Sequence, residues 1–371
     1  MHARDGNVLE LTAAESVAYD DNLYRLAPDS NATQLIGSER RDDLGSTTTL
    51  QLAADKLIGR QNLFGSYRHA ITRYQIHKTA NYDLDDGQAG WRGGFGAYNQ
   101  WDVFYKRSSV QSDYSDRLSY VSNVVDTSAL HAGTEIRYRT DWRTDLSLED
   151  ERQRNSTTAR NGGDYNGRLF QAGFGYWPLT GNKLGVQFRQ ARREYSGDRG
   201  WRENAFNLLG AYSGSAVSKL DGSAGVQLQR GNDGATSRNL RFSLNHLWVP
   251  AGQSSYSLRL IRERSAASNS GSAQADINGV QAHWYWAMSA KLRLDSGFDY
   301  QRRKYDGYIE PGTSQPIERK EYVRVSSLTL SYIPVVNMTA SLAIQNHKRD
   351  ANHIRYNYDA QSCWLSLQYV Y

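Results

Sequence analysis

The residues of this chain that are capable of acid–base, nucleophilic or metal chemistry are scattered. Its eight histidines, His2, His69, His77, His131, His246, His283, His347 and His353, show no spacing that a metal site would need. Gly210-Ala211-Tyr212-Ser213-Gly214 places its serine fourth rather than third, so it is not a nucleophile elbow. Asp20, Asp21 and Asn22 offer the oxygen ligands calcium takes, but without the spacing of a calcium loop. A turn that ends a strand explains the same three residues. A triad assembled from distant strands is the one enzymatic route left open. The expectation is therefore no enzyme, no catalytic residue, no metal and no cofactor.

The charged residues follow a different rule, because they alternate with apolar ones. Leu184, Val186 and Phe188 alternate with Gln187, Arg189 and Arg193, and Leu240, Phe242 and Leu244 with Arg241, Ser243 and Asn245. Leu292, Leu294, Phe298 and Tyr300 alternate with Arg293, Asp295 and Asp299. A period of two is that of a strand with one apolar face. If the polar faces line a pore, its wall includes Arg137, Arg139, Arg143, Arg189, Arg193, Arg241, Arg259, Arg293, Asp295, Asp299 and Trp364. Glu10, Asp55, Asp102, Glu135, Asp145, Glu149, Asp221 and Glu263 share that phase, so the two signs nearly balance and a strong anion filter is not expected. Such side chains either pair across strands to stiffen the wall or present donors and acceptors to a passing solute. The two roles are compatible.

The strands that would position these residues are clearest at the C-terminus. Tyr371, Tyr369, Leu367, Leu365 and Cys363 fall on one face, and Val370, Gln368, Ser366, Trp364 and Ser362 on the other. An alternating last strand that stops on an aromatic looks like the closing strand of an outer-membrane β-barrel. About eighteen such strands are predicted, near 7–19, 44–56, 60–75, 82–95, 100–112, 128–140, 141–154, 164–177, 182–195, 202–213, 218–231, 238–249, 254–266, 276–288, 290–304, 321–334, 336–349 and 357–371. The reading is all-β: one transmembrane antiparallel barrel over residues 1–371, both termini periplasmic, in the outer membrane of a Gram-negative bacterium.

Composition agrees. Mean hydropathy is -0.70 and no stretch approaches a membrane helix, as expected when only alternate residues meet lipid. The 25 Tyr and 9 Trp suit interfacial girdles, to which Trp142, Trp177, Trp248, Trp284 and Trp286 are assigned. Trp364, on the opposite face, is the better lumen candidate. A lone cysteine excludes an internal disulfide, and a net charge of +5 over 371 residues is too mild to imply a nucleic-acid partner. No signal peptide is visible, so the barrel reading requires that the export signal has been removed. Short turns carrying Pro178, Pro250 and Pro334 alternate with longer polar loops carrying Pro28, Pro311 and Pro316.

Three segments of the N-terminal quarter carry a family resemblance: Tyr19-Asp20-Asp21-Asn22-Leu23-Tyr24-Arg25-Leu26, Asp55-Lys56-Leu57-Ile58-Gly59-Arg60-Gln61 and Asn81-Tyr82-Asp83-Leu84-Asp85. Together they resemble the EpsL/VpsM-like outer-membrane barrels of exopolysaccharide biosynthesis and export, the exosortase-associated type. The resemblance implies a channel that passes an exopolysaccharide to the cell surface with a periplasmic polysaccharide export protein of the OPX type. A general or solute-selective porin shares every architectural feature and is the alternative. Outer-membrane lipid and lipopolysaccharide are the expected surroundings.

The longest connection, Asp20 to Asp43, is long enough to be functional. It combines the apolar Leu23, Tyr24, Leu26, Leu35 and Ile36 with the charged Arg40 and Arg41. The expectation is a loop that folds inward and constricts the channel.

Overall fold

The computed structural model describes residues 7–112, 114, 120, 122–138, 141–157, 163–178, 181–196, 200–232, 234–265, 274–309 and 316–371. Eighteen strands follow one another: β1 (Asn7–Asp20), β2 (Asp43–Ile58), β3 (Gln61–Tyr74), β4 (Tyr82–Phe95), β5 (Asn99–Gln111), β6 (Val124–Tyr138), β7 (Trp142–Asn155), β8 (Tyr165–Tyr176) and β9 (Lys183–Tyr195) form the first half. The second half is β10 (Gly200–Ser215), β11 (Ser218–Gly231), β12 (Thr236–Ala251), β13 (Ser254–Ser265), β14 (Gln274–Ala287), β15 (Leu292–Ile309), β16 (Pro316–Val335), β17 (Met338–Ala351) and β18 (Tyr358–Val370). Each pairs antiparallel with its sequence neighbours, and β1 pairs with β18 from Thr12↔Val370 to Asp20↔Ser362. The sheet is closed. A bilayer allows little else, since an unpaired strand edge in lipid leaves backbone polar groups without partners.

The period-two pattern sorts every strand into two faces. Leu184, Phe206, Leu208 and Leu365 are all exposed by more than 60 % on the outer wall. On a soluble protein such a surface would be an aggregation liability; around a closed barrel it is the lipid-facing band. The register carries the face round the wall: Tyr176↔Leu184, Leu208↔Ala224, Leu342↔Leu365 and Val17↔Leu365 all join outward residues. Glu15 also stands in the outward phase, and it accepts a hydrogen bond from Thr48 Oγ1 at 2.5 Å. Trp248, Tyr256, Trp284 and Trp286 form a contiguous outward aromatic cluster, with ring centroids 5.3–6.1 Å apart.

Asn7, Tyr371 and the described connections β2–β3, β4–β5, β10–β11, β12–β13, β14–β15 and β16–β17 lie at one end of the barrel, here the turn end; the opposite end is the loop end. Gly59 at φ +62° occupies the left-handed region that the two-residue β2–β3 turn requires. Pro250 and Pro334 lie where the register shifts, between Trp248 and Ala251 and between Tyr332 and Val335. A bulge is where a strand tolerates a residue without an amide proton.

Two features depart from the pattern reading. β15 and β16 run on to Ile309 and back from Pro316, so the connection expected over 305–320 is mostly strand. Tyr305, Arg319 and Glu321 are buried there, and their packing extends the ladder through a polar segment. Trp177 is not in a girdle. It lies inside the wall against Gly175 and Gly185, where a Cβ on Gly175 would stand 2.5 Å from Trp177 Cζ3.

Candidate functional site: the lumen wall and the loop cluster

The strand phases place Arg137, Arg143, Arg189, Arg193, Arg241, Arg259, Arg293, Asp295, Asp299 and Trp364 on the inward face, set by their registers with outward Leu130, Leu184, Phe206, Leu240 and Leu365. Arg139 lies outside the described residues. Most of the inward charges are paired. Near the turn end, Arg137 and Arg143 share Glu135 at 2.7 and 2.8 Å, and Arg143 reaches Asp145 at 3.1 Å. The Arg143 guanidinium and the Lys183 ammonium also stand 4.4 and 4.8 Å from the Trp177 ring centroid. Two cations over one ring explain why this indole turns inward rather than toward the interface.

Farther along, Arg189 meets Glu203 at 2.6 Å, and Gln227 donates to the same carboxylate at 2.8 Å. Arg193 meets Glu151 at 3.3 Å and lies over the rings of Tyr165 and Trp201 at 4.5 and 5.6 Å. Tyr165 donates its hydroxyl to Glu151 at 2.9 Å. Arg241 reaches Glu263 at 4.0 Å, Asp295 pairs with His283 at 2.9 Å, and Asp299 accepts from Gln281 and Gln301. Two cations differ. Arg259 and Arg293 make no hydrogen bond, ion pair or ring contact among the described residues, and both are exposed.

The connection from β1 to β2 is ordered at the loop end. Asp20 binds Arg25 through both carboxylate oxygens at 2.7 and 2.8 Å. Asn22 bridges the turn, accepting from the Leu26 amide and donating to the Leu26 carbonyl. Asn31 then caps the short helix α1 (Ala32–Ile36), which ends at Gly37 in the left-handed region. Arg41 ties the return segment by donating to the carbonyls of Ala27, Pro28 and Ser30. Asp43 accepts amide protons from Ile76 and His77 at 3.1 and 2.6 Å, fastening this loop to the β3–β4 connection.

Leu23, Tyr24 and Leu26 are buried with Ala32, Ala80 and Tyr114, and Ile36, Tyr120 and the inward Tyr74 pack against them. Tyr24 meets the rings of His77, Tyr114 and Tyr120 edge-on at 5.1, 4.7 and 6.0 Å. This burial pushes the Tyr24 hydroxyl above its ordinary pKa. Leu35 and Arg40 do not join the cluster: both are exposed, and Arg40 pairs with Asp42, holding that carboxyl below its usual range.

A third cluster lies at the loop end under β15–β17 and was missed in the sequence. Arg319, Glu321 and Arg349 are at most 1 % exposed. Glu321 accepts from Arg319 Nε at 2.6 Å and from the Tyr305 hydroxyl at 3.0 Å, with Arg349 Nη1 3.8 Å away. The Arg319 guanidinium stacks over Tyr356 at 3.7 Å. Glu151 and Glu203 were missed as well, although extending the inward phase along β7 and β10 would have found both.

No protein-family model matches the chain, and no curated protein matches it in sequence. Solved structures do. Pseudomonas aeruginosa OccK9 (OpdG) superposes with a TM-score of 0.53 at 12% identity, covering 99% of this chain and 98% of its own. Pseudomonas aeruginosa OccK2 (OpdF) gives 0.53 at 10% identity over 99% and 97%. Pseudomonas aeruginosa OpdO gives 0.52 at 13% identity over 99% and 97%. At these identities the likeness is one of fold. The chain is a closed eighteen-stranded antiparallel barrel with a lipid-facing wall, an outer-membrane protein of the Gram-negative type.

Proposed function

We propose that this barrel is a porin, a water-filled path for small polar solutes, with the loop end facing outward and both termini periplasmic. The observation that carries this reading is the buried Leu23–Tyr24–Leu26 cluster, which holds the β1–β2 loop against inward Tyr74 at one mouth of the barrel. An anchored loop suits passage of solutes one at a time. The fold shared with OccK9, OccK2 and OpdO supports it. One structure of that set is of OpdK with vanillate, at 11% identity and a TM-score of 0.51. Here Arg259 and Arg293 are inward cations without an internal counter-charge, and they favour small anionic solutes.

Two measurements in planar bilayers test these assignments. Tyr24→Ala with Leu26→Ala removes about 2–5 kcal/mol of anchoring per side chain, so the loop leaves its seat and single-channel conductance rises. An unchanged conductance in a folded double variant removes the β1–β2 loop as the constriction. In a salt gradient, Arg259→Gln with Arg293→Gln should shift the reversal potential toward cations. No shift would mean that neither guanidinium faces the permeating ions.

The second reading is passage of an exopolysaccharide together with an OPX-type export protein, favoured by inward Trp364, an aromatic able to stack on sugar rings. Four of the residues carrying the EpsL/VpsM-like resemblance have local structural work: Asp20 and Asn22 shape the turn after β1, Asp55 lies 3.5 Å from Arg92, and Asp85 accepts from Tyr67. Deleting the gene separates the two readings. Periplasmic retention of polymer supports export, and slower uptake of a small solute with normal surface polymer supports the porin.

A further inference from the structure

Arg168, Arg192, Arg202 and Arg230 stand directly opposite one another on four consecutive strands, β8 to β11: Arg168↔Arg192, Arg192↔Arg202 and Arg202↔Arg230. All four are exposed and share the outward phase with Phe174, Leu184, Phe206 and Leu228. Side chains directly opposite in a sheet are about 5 Å apart, and like charges there repel. Arg168 is partly offset by Asp150 at 3.3 Å and Arg192 by Glu194. Arg202 and Arg230 have no hydrogen bond, ion pair or ring contact among the described residues, and neither has the adjacent outward Arg238. Among the described outward positions of β8–β12, Glu194 is the one acid against these five cations.

The position of the row decides what neutralises it. Two steps toward the turn end, roughly 13 Å along the strands, the same face presents Ala172, Phe188, Phe206 and Val226 in register. The arginines thus sit where the apolar wall gives way to polar surface, the level of lipid headgroups. Guanidinium forks match phosphate oxygens in geometry and charge. We infer that this row seats the phosphates of a phosphorylated glycolipid of the outer leaflet, whose acyl chains lie on the Phe188–Phe206 face beneath. A free anion would use the arginines alone; a lipid uses both halves of the surface. The inference rests on the orientation proposed above.

The test uses the purified full-length barrel in detergent, with bisphosphorylated lipid A as the probe and native mass spectrometry as the readout. Arg202→Gln with Arg230→Gln removes two exposed guanidiniums that make no hydrogen bond, ion pair or ring contact among the described residues, so folding is preserved. Retention of lipid A is expected to weaken roughly ten-fold or more, the loss of at least one charged hydrogen bond. Arg324→Gln, on the far wall and already neutralised by Asp350 at 3.0 Å, should change nothing. Dephosphorylated lipid A should bind the wild type as weakly as lipid A binds the double variant. Equal retention by wild type and double variant overturns the proposal, as does equal binding of the dephosphorylated lipid. Displacement by excess inorganic phosphate overturns the choice of a lipid over a free anion. Retention in detergent, with a tag after Asn232 that is hidden on intact cells, overturns it through orientation alone and leaves the channel reading standing.

Discussion

Replacing Glu321 with alanine is expected to destabilise the barrel by about 3–5 kcal/mol, the cost of breaking a buried ion pair by removing one partner. Arg319 and Arg349 remain at that site, essentially without solvent contact, and Glu321 is the carboxylate between them. Water cannot reach the two guanidiniums without opening the packing of Tyr305, Tyr356 and Ala275. Glu321→Gln keeps an acceptor for the Tyr305 hydroxyl but not the charge, and should fall between alanine and wild type. Urea unfolding in detergent, followed by heat-modified mobility on gels, reads both. Alanine and wild-type midpoints that coincide would mean that other groups neutralise these arginines.

The second large effect separates the two faces of the last strand. Leu365→Arg puts a cation on the outer wall between Val17 and Leu342, where arginine costs about 2–4 kcal/mol near the bilayer midplane. Ser366→Arg, one residue on, turns the same cation into the lumen among Ser16 and Ser341 and should cost little. Folding yield into lipid vesicles measures the difference. If both variants insert equally well, the assignment of faces in β18 is wrong, and through the continuous register so is that of the rest of the wall.

The wall was legible because its signal is local. Tyr371, Tyr369, Leu367 and Leu365 announce a phase within one strand, and each hairpin passes that phase to the next, so inward Arg189, Arg193 and Arg293 could be named without knowing any contact. The interior beyond the wall was not legible in the same way. Arg319 read as a loop residue and Glu321 only as the first residue of its strand, since a polar stretch after Pro316 has no period that distinguishes it from solvent-exposed chain. What extends the strand back through Arg319 is burial against Tyr305 and Tyr356, a tertiary effect. Trp177 follows the same logic: tryptophan at a strand end suggests an interface, but Arg143 and Lys183 compete for the ring from inside. In the β1–β2 loop, composition identified Leu23, Tyr24 and Leu26, while Leu35 on the exposed side of α1 shows that an apolar residue in a loop carries no direction of its own.

The pairing of β1 with β18 has a consequence for how the molecule forms. Seventeen of the strand pairs join neighbours in sequence, and each can form as a local hairpin as soon as its two strands exist. The eighteenth joins opposite ends of the chain, and bringing distant segments together is what slows folding. Until Thr12 meets Val370, the sheet carries two bare edges of unpaired amides and carbonyls. The lifetime of that open state, rather than the speed of hairpin formation, sets how long a nascent chain stays vulnerable to pairing with another copy of itself.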